Sequence, residues 1–500
     1  MKSSMSFAIP LRCVRLLLVL VLATAWLAGC GTVGPAFVPP VPDAPADFSA
    51  WHGGSAELLT PQRDSAPSPL GWTSFADPIL DALQAQALRA NPDLQTAALR
   101  FAQSRTQALT ASAQRLPQSS ASAAATRQRQ SEQGQGTRMV DALNPPNRDA
   151  LIGALAQPFN LYQAGFDASW EADLWGRVRR TIEAADANTD VSKALLAQVQ
   201  LSVQADLARH YFELRAVQRQ IVIARANLAI AGETLELTQA RADGGLTTDL
   251  DVTRQRAQLA DLRSRLPQLL GQEAQASNQI TLLLGERPGA LQSQLADPGS
   301  DAERVLPDLS LGLPSDVALR RPDIQRALVQ LHAATAQIGV AVADLYPRIT
   351  LGARFGLEAV GGSGFGEWGS RQWSIGPSLD LPIFDGGRRR AVVTLRELQQ
   401  QEAAVAYQQT VLRAWHEIDD ALSAYAAERQ RNLQLAQKER SSRDAWELAQ
   451  TRYANGLTDF LVQLDAQRTL LDAQREHADS TGRLATDLVA VIRSLGSASP

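Results

Sequence analysis

Three stretches of the chain alternate apolar and polar residues with a period of two, the spacing of a strand with one dry and one wet face. From Tyr162 to Asp173 the even positions carry Tyr, Ala, Phe, Ala, Trp and Ala, and the odd positions Gln, Gly, Asp, Ser, Glu and Asp. Ile349, Leu351, Ala353, Phe355 and Leu357 alternate in the same way with Thr350, Gly352, Arg354, Gly356 and Glu358. Trp373, Ile375, Pro377, Leu379 and Leu381 alternate with Ser374, Gly376, Ser378 and Asp380. A fourth strand, near 118–130, is predicted from a fainter pattern rich in Ala and Ser. Long helices are predicted elsewhere, because the chain has 25 prolines yet none between Pro158 and Pro267 or between Pro382 and Pro500. Gly244-Gly245 and Asn455-Gly456 interrupt these tracts as hairpin turns. A helix over 177–243 measures roughly 100 Å at about 1.5 Å per residue. Leu412, Trp415, Ile418, Leu422 and Tyr425, and Leu484, Leu488, Val491 and Leu495, recur at three and four, the narrow stripe of coiled-coil-like packing.

The chain reads as two copies of one unit. Asn91-Pro92-Asp93-Leu94 returns as Arg321-Pro322-Asp323-Ile324, and in each copy a proline follows 25 residues later, Pro117 and Pro347. Leu174-Trp175-Gly176-Arg177-Val178-Arg179-Arg180 answers Ile383-Phe384-Asp385-Gly386-Gly387-Arg388-Arg389-Arg390 with a gap of one. Arg241, Gly245-Leu246-Thr247 and Leu284-Gly285 pair with Arg452, Gly456-Leu457-Thr458 and Leu495-Gly496 at a constant offset of 211. Each copy therefore reads as helix, two strands and a long helical hairpin. The first spans 76–290, with strands near 118–130 and 161–174 and a hairpin over 177–285. The second spans 306–496, with strands near 348–358 and 371–382 and a hairpin over 388–496.

Composition narrows the class. Aromatic residues are 5% of the chain, while Ala, Gln and Leu dominate, which suits long helices better than one large globular core. The first 29 residues hold Lys2, Arg12 and Arg15, no acid, and the apolar run Leu16–Ala25, the layout of a secretory signal. Leu27-Ala28-Gly29-Cys30 is the pattern cut before a lipidated cysteine, so Cys30 is the expected lipid anchor. Gly31, in place of Asp, favours sorting to the outer membrane. Cys13 lies in the signal, so no disulfide or thiol chemistry is expected. Cleavage leaves 45 basic and 52 acidic residues, a net charge of −7, and no basic stripe for nucleic acid. The Pro-rich segment after Cys30 is expected to be an extended tether over 30–75.

Strands of about 10 residues with one apolar face match a transmembrane β-barrel with a wet lumen, with a soluble sandwich with one wet face as the lesser alternative. In the barrel case four strands cannot close, and open edges are not tolerated in lipid, so the barrel must be shared between chains. Hairpins of this length then project into the periplasm.

These motifs resemble the outer-membrane efflux protein family, the TolC and OprM kind, and in particular its lipoprotein branch serving RND-type pumps. The resemblance rests on the Cys30-Gly-Thr-Val-Gly-Pro start, Trp72 to Pro78, Trp170-Glu-Ala-Asp-Leu-Trp-Gly-Arg177, Leu381-Pro-Ile-Phe-Asp-Gly-Gly-Arg388 and the paired Gly-Leu-Thr turns. It implies a homotrimer whose 12 strands form one barrel continued by an α-helical tunnel. It also implies a periplasmic adaptor and an inner-membrane pump, of the proton-driven RND type, as partners. The family's tip motif falls on Arg241–Val252 and Arg452–Ala466. By resemblance Asp251 and Tyr453 form a gate latch, Asp465 an inward carboxylate ring, and Gly245, Leu246, Thr247, Gly456, Leu457 and Thr458 the adaptor docking points. The chain departs from the family where a second ring carboxylate is Val462 and a latch arginine is Thr458.

No catalytic constellation competes with this reading. Gly364-Phe-Gly366-Glu-Trp-Gly369 has the spelling of a dinucleotide loop but sits between two strands and opens no helix. His52, His210, His332, His416 and His477 are scattered, and no metal site or cofactor is expected. The sequence thus predicts a passive outer-membrane efflux duct without enzymatic activity. A type I protein secretion duct and a non-conducting periplasmic scaffold lipoprotein remain as alternatives.

Overall fold

The computed structural model of the chain describes residues 31–40, 71–143, 145–296 and 320–496. The signal segment 1–29, the anchor Cys30 and residues 41–70 of the tether lie outside the described residues. The elements run α1 (Pro78–Ala90), α2 (Pro92–Ser112), β1 (Gln118–Gln128), α3 (Arg138–Leu143), α4 (Arg148–Leu155), β2 (Phe159–Glu171), α5 (Arg177–Asp243), α6 (Asp249–Leu283) and α7 (Gln292–Leu295). They continue with α8 (Pro322–Ala343), β3 (Arg348–Val360), β4 (Arg371–Asp380), α9 (Arg388–Ala454) and α10 (Phe460–Ser494). The repeat is carried into three dimensions: α5 and α9 have 67 residues each, and α6 and α10 have 35 each. Pro267 sits inside α6 without ending it, although it removes one backbone donor there.

The chain divides into two compact units. The first gathers Ser104–Asn188, Leu331–Ala403 and the described residues up to Val38. Its centre is a four-stranded antiparallel sheet in the order β1-β2-β3-β4. Beside it Gly31–Val38 forms no helix or strand but is not a free tether. The Val33 N–H donates to the Trp175 carbonyl at 3.1 Å, and Phe37 stacks on His332 with ring centres 4.4 Å apart. Gly34 lies so close to Gly339 that a Cβ on Gly34 would stand 2.6 Å from the Gly339 Cα. Under this segment Arg180 donates to Glu183 at 2.8 Å, and the other Glu183 oxygen meets His332 at 3.1 Å.

The second unit gathers Pro39–Gln103, Thr189–Gln330 and Ala404–Pro500. Its core joins Trp72, Leu80 and Leu83 to Tyr211 and Leu214 of α5, Ile280 of α6, Trp415 and Ile418 of α9, and Leu488 and Ile492 of α10. Helix α1 starts where Asp77 accepts from the backbone N–H groups of Ile79 and Leu80, with Pro78 as the first helical residue. The Tyr211 hydroxyl donates to the same carboxylate at 2.6 Å, tying α5 to that cap.

Both copies finish their hairpins by the same device. The Asn91 side chain donates to the Leu283 carbonyl at the end of α6, at 2.8 Å. Arg321, its counterpart, donates to the Ser494 carbonyl at the end of α10, at 2.7 Å. A helix end leaves its last carbonyls without helical partners, so these side chains satisfy groups that burial would otherwise penalise. Arg321 also pairs with Asp323 at 2.7 Å and Glu417 at 2.6 Å, with only 7% of its side chain exposed. Burial pushes the Asp323 carboxyl up, but the hydrogen bond and charge of Arg321 outweigh it and hold it below the ordinary carboxylate range.

That balance sets a pH dependence. A depressed folded-state pKa contributes stability above the ordinary carboxylate value, and this is lost as pH falls through the folded value. Asp323→Asn is expected to destabilise the protein by about 1–3 kcal/mol at neutral pH. Thermal unfolding should also show a smaller loss of stability below about pH 4 than in the parent protein.

Candidate channel faces and hairpin tips

The sheet has two unlike faces. Register places Ala121, Phe166, Phe355 and Trp373 in one row across all four strands, followed by Ser119, Ala168, Ala353 and Ile375. Leu351 with Trp170 and Ile349 with Leu379 extend this face, and Ile375 is 68% exposed on it. Leaving such side chains in water costs about 1.5–3 kcal/mol each, so this face calls for an apolar neighbour. The opposite face carries Ser120, Asp167, Arg354 and Ser374 in one row and Ser122, Gly165, Gly356 and Gln372 in the next. It is polar and mostly small, with Arg354 facing Asp167 at 3.6 Å and Gln163 donating to Glu358 at 2.7 Å. The Gly-rich segment 361–367 between β3 and β4 turns over and meets a short 3-10 turn, Trp368–Ser370, and opens no α-helix.

The first hairpin tip closes by backbone geometry. Gly245 has φ +70°, the left-handed region that favours glycine, and its N–H and that of Leu246 return to the carbonyls of Ala242 and Arg241. Gly456 repeats this at φ +71°, with its own N–H and that of Leu457 returning to the Tyr453 and Arg452 carbonyls. Leu246 and Leu457 are left exposed at the turns, with Leu250, Leu461 and Val462 exposed on the following helices. The Gly-Leu-Thr residues named from the sequence are therefore an apolar point on each hairpin.

Asp251 is placed differently from a free carboxylate. One of its oxygens accepts from the Thr247 hydroxyl at 2.8 Å and the Thr248 hydroxyl at 2.9 Å, while Arg254 stands 3.6 Å from the other. Thr248 and Asp251 form a reciprocal capping box at the start of α6. Only 16% of the Asp251 side chain is exposed. Burial raises its pKa, yet the threonine hydrogen bonds and the Arg254 charge prevail, so it stays below its usual value.

Tyr453 lies against Phe460, ring centres 5.7 Å apart and near edge-on, with Leu464 beneath. The Arg241 guanidinium from the first hairpin stands over its ring, 4.6 Å from the centre, joining the two tips by a cation–π contact. Its hydroxyl is buried and has no hydrogen-bond partner among the described residues. Within one chain Asp251 and Tyr453 are not bonded to each other: each is held by its own surroundings. Asp465 is exposed on α10, as a ring carboxylate would need to be. Two features had gone unread. Thr248-x-x-Asp251 was legible as a capping box, whereas nothing in the local pattern linked Arg241 to Tyr453.

A model of the outer membrane efflux protein family matches residues 83–286 and 313–497. The chain is similar to outer membrane protein OprJ of Pseudomonas aeruginosa, 32% identical over 469 residues covering 93% of each chain. It is also similar to pyoverdine export outer membrane protein OpmQ of Pseudomonas putida, 33% identical over 474 residues, 94% of this chain and 95% of the relative. The solved outer-membrane channel OprN matches with a TM-score of 0.79 at 34% identity, over 93% of this chain and 99% of that one. A four-stranded sheet with one apolar face, two long helical hairpins and these likenesses over nearly the whole length lead to one conclusion: the chain belongs to the outer membrane efflux protein family.

Proposed function

We propose that the chain is the outer-membrane channel of a tripartite efflux system. Three copies close one barrel of 12 strands, and their hairpins form the periplasmic tunnel. Drugs or other small molecules pass through it passively, received from a periplasmic adaptor and an inner-membrane pump of the proton-driven RND type. The observation that carries this reading is the open four-stranded sheet with its bare apolar face and its small, polar opposite face. Strands of 10 to 13 residues, tilted as barrel strands are, reach across an apolar band of about 25 Å. The polar face then lines a water-filled lumen, and the exposed apolar face meets lipid.

No catalysis by the chain itself is needed for this role, since the driving energy enters at the pump. Cys30 serves as the lipid anchor on the strength of the Leu27-Ala28-Gly29-Cys30 pattern. The docking of Gly31–Val38 beside Trp175 and Gly339 would hold that anchor close to the sheet-bearing unit. The exposed Leu246 and Leu457 points are suited to grip the coiled-coil ends of an adaptor. Small-molecule cargo is favoured by the similarity to a relative named for pyoverdine export. The gate belongs to the tips. Three Asp465 carboxylates around a narrow mouth focus a negative potential that admits cations over anions. Tyr453, packed between Arg241 and Phe460, links one hairpin to the other.

Purified acylated protein in a planar bilayer should give a small, cation-preferring conductance from a trimeric assembly. A stable monomer, or a folded trimer without conductance, would return the scaffold alternative. Replacing Asp251 and Tyr453 together with Ala should raise single-channel conductance severalfold, and Asp465→Asn should weaken the cation preference. Unchanged conductance in a well-folded Asp251→Ala, Tyr453→Ala trimer would remove those residues from the gate.

A further inference from the structure

Both edges of the sheet end in bare backbone. Strand β1 pairs only with β2 and β4 only with β3, so the outward N–H and C=O groups, on alternate residues of these 11- and 10-residue strands, have no partner strand among the described residues. The internal repeat indicates how these edges meet. The chain contains two equivalent hairpins, β1·β2 and β3·β4, and one example, β2·β3, of how one hairpin joins the next.

The equivalences can be read from structure alone. Pro117 before β1 answers Pro347 before β3, an offset of 230, which also takes Gln118 to Arg348 at the strand starts. With β1 laid on β3 in this way, the pair Gln118 and Ser169 becomes Arg348 and Asp380, so β2 maps onto β4 at an offset of 211. The helices give the same 211 independently, from Arg177 to Arg388 and from Leu283 to Ser494. The net offset of strand and hairpin is thus the same in both copies, although the segments that connect them differ, with β2 ending at Glu171 before Arg177 and β4 at Asp380 before Arg388.

Carrying the β2·β3 register over by these offsets fixes a register between β4 of one copy and β1 of another. The pair Ser169 and Gly352 becomes Asp380 and Ser122; Asp167 and Arg354 becomes Ser378 and Ala124; Gly165 and Gly356 becomes Gly376 and Thr126. The faces agree without adjustment. Ser122, Ala124 and Thr126 lie on the polar face of β1, as Gly376, Ser378 and Asp380 do on β4. A slip of one residue would set apolar positions against polar ones along the whole seam.

The end of the seam carries a second signature. Between β2 and β3 the junction is filled within the chain, with Trp175 stacked on Tyr346 at 4.8 Å and donating to the Pro347 carbonyl at 2.9 Å. The counterparts of Tyr346 and Pro347 are Leu116 and Pro117, and Leu116 is 66% exposed. After β4 the apolar bulk is Ile383 and Phe384, which are 91% and 93% exposed. In the carried-over register Phe384 comes level with Gln118 of the other copy, two residues from Leu116. Leu116 and Phe384 are thus both bare in the single chain.

We infer that neighbouring copies join β4 to β1 antiparallel, with Ser378 opposite Ala124, and that Phe384 seats on Leu116 and Pro117 of the adjoining copy. This rests on the shared barrel proposed above and adds to it a register and a closing contact. The test uses full-length protein carrying Ser378→Cys with Ala124→Cys, against Ser378→Cys with Ser122→Cys, where the second cysteine is moved two residues along the same face. Mild oxidation should give covalent dimers and trimers from the first pair and a marked loss of them from the second. Phe384→Ser and Leu116→Ser should each lower the temperature at which the trimer dissociates, and the double variant should fall short of their sum. Trimers that cross-link through the shifted pair overturn the register while leaving the shared barrel standing. Additive effects at Phe384 and Leu116 overturn the junction contact. A protein that stays monomeric and uncross-linked defeats the shared barrel and the seam together.

Discussion

Unpaired backbone at the rims of the sheet is the constraint on which the rest of this protein depends. In water the outer edges of β1 and β4 could be solvated. Beside hydrocarbon every unpaired N–H or C=O costs several kcal/mol, and a strand edge exposes a whole row of them. Four strands with an apolar face therefore cannot act as a finished membrane structure. The chain's alternation commits it to lipid on one face, and its strand number commits it to partners at both edges. An assembly of identical copies meets both demands at once, because a heterologous edge-to-edge contact closes into a ring when the rotation allows.

Duplication makes that closure economical. A sheet assembled from two equivalent hairpins already contains the inter-hairpin contact that a ring needs, and the second copy only has to offer the same edges. The helical part obeys the same logic. Asn91 and Arg321 satisfy the last carbonyls of their respective return helices, one by an amide and one by a guanidinium. The arginine brings Asp323 and Glu417 with it, so the second copy has replaced a neutral cap by a charged network. Equivalent geometry has survived a change in chemistry, because what the position demands is a donor reaching that carbonyl.

The architecture was legible because its signals are periodic. Tyr162–Asp173 and Ile349–Glu358 show period two over most of a strand, and the proline-free tracts outline the 67-residue helices. Strand β1 was fainter because Ala121, Ala123 and Ala125 give its apolar face little contrast with the serines between them. Pairing with β2, a tertiary property, completes what its own sequence barely states. The site was legible only as far as motifs reach. The Gly-Leu-Thr turns follow from glycine's access to positive φ, and Thr248-x-x-Asp251 has the spelling of a cap. The stacking of Arg241 on Tyr453 joins residues 212 positions apart and has no local trace, and the docking of Phe37 on His332 is equally non-local.

The two tips also show how far a repeat can diverge in what holds it together. The offset of 211 takes Thr248 to Asp459 and Asp251 to Val462. The first tip is fastened by a reciprocal cap with three hydrogen bonds to one carboxylate oxygen, whereas Asp459 makes no side-chain cap and Val462 lies exposed. In the second tip the fastening has moved to an apolar cluster of Tyr453, Phe460 and Leu464, covered by a guanidinium from its neighbour. Directional hydrogen bonds hold one geometry firmly, while an aromatic ring under a cation tolerates sliding at small cost. The two tips of one chain are therefore held by unlike interactions, one by directional hydrogen bonds and one by an apolar cluster under a cation.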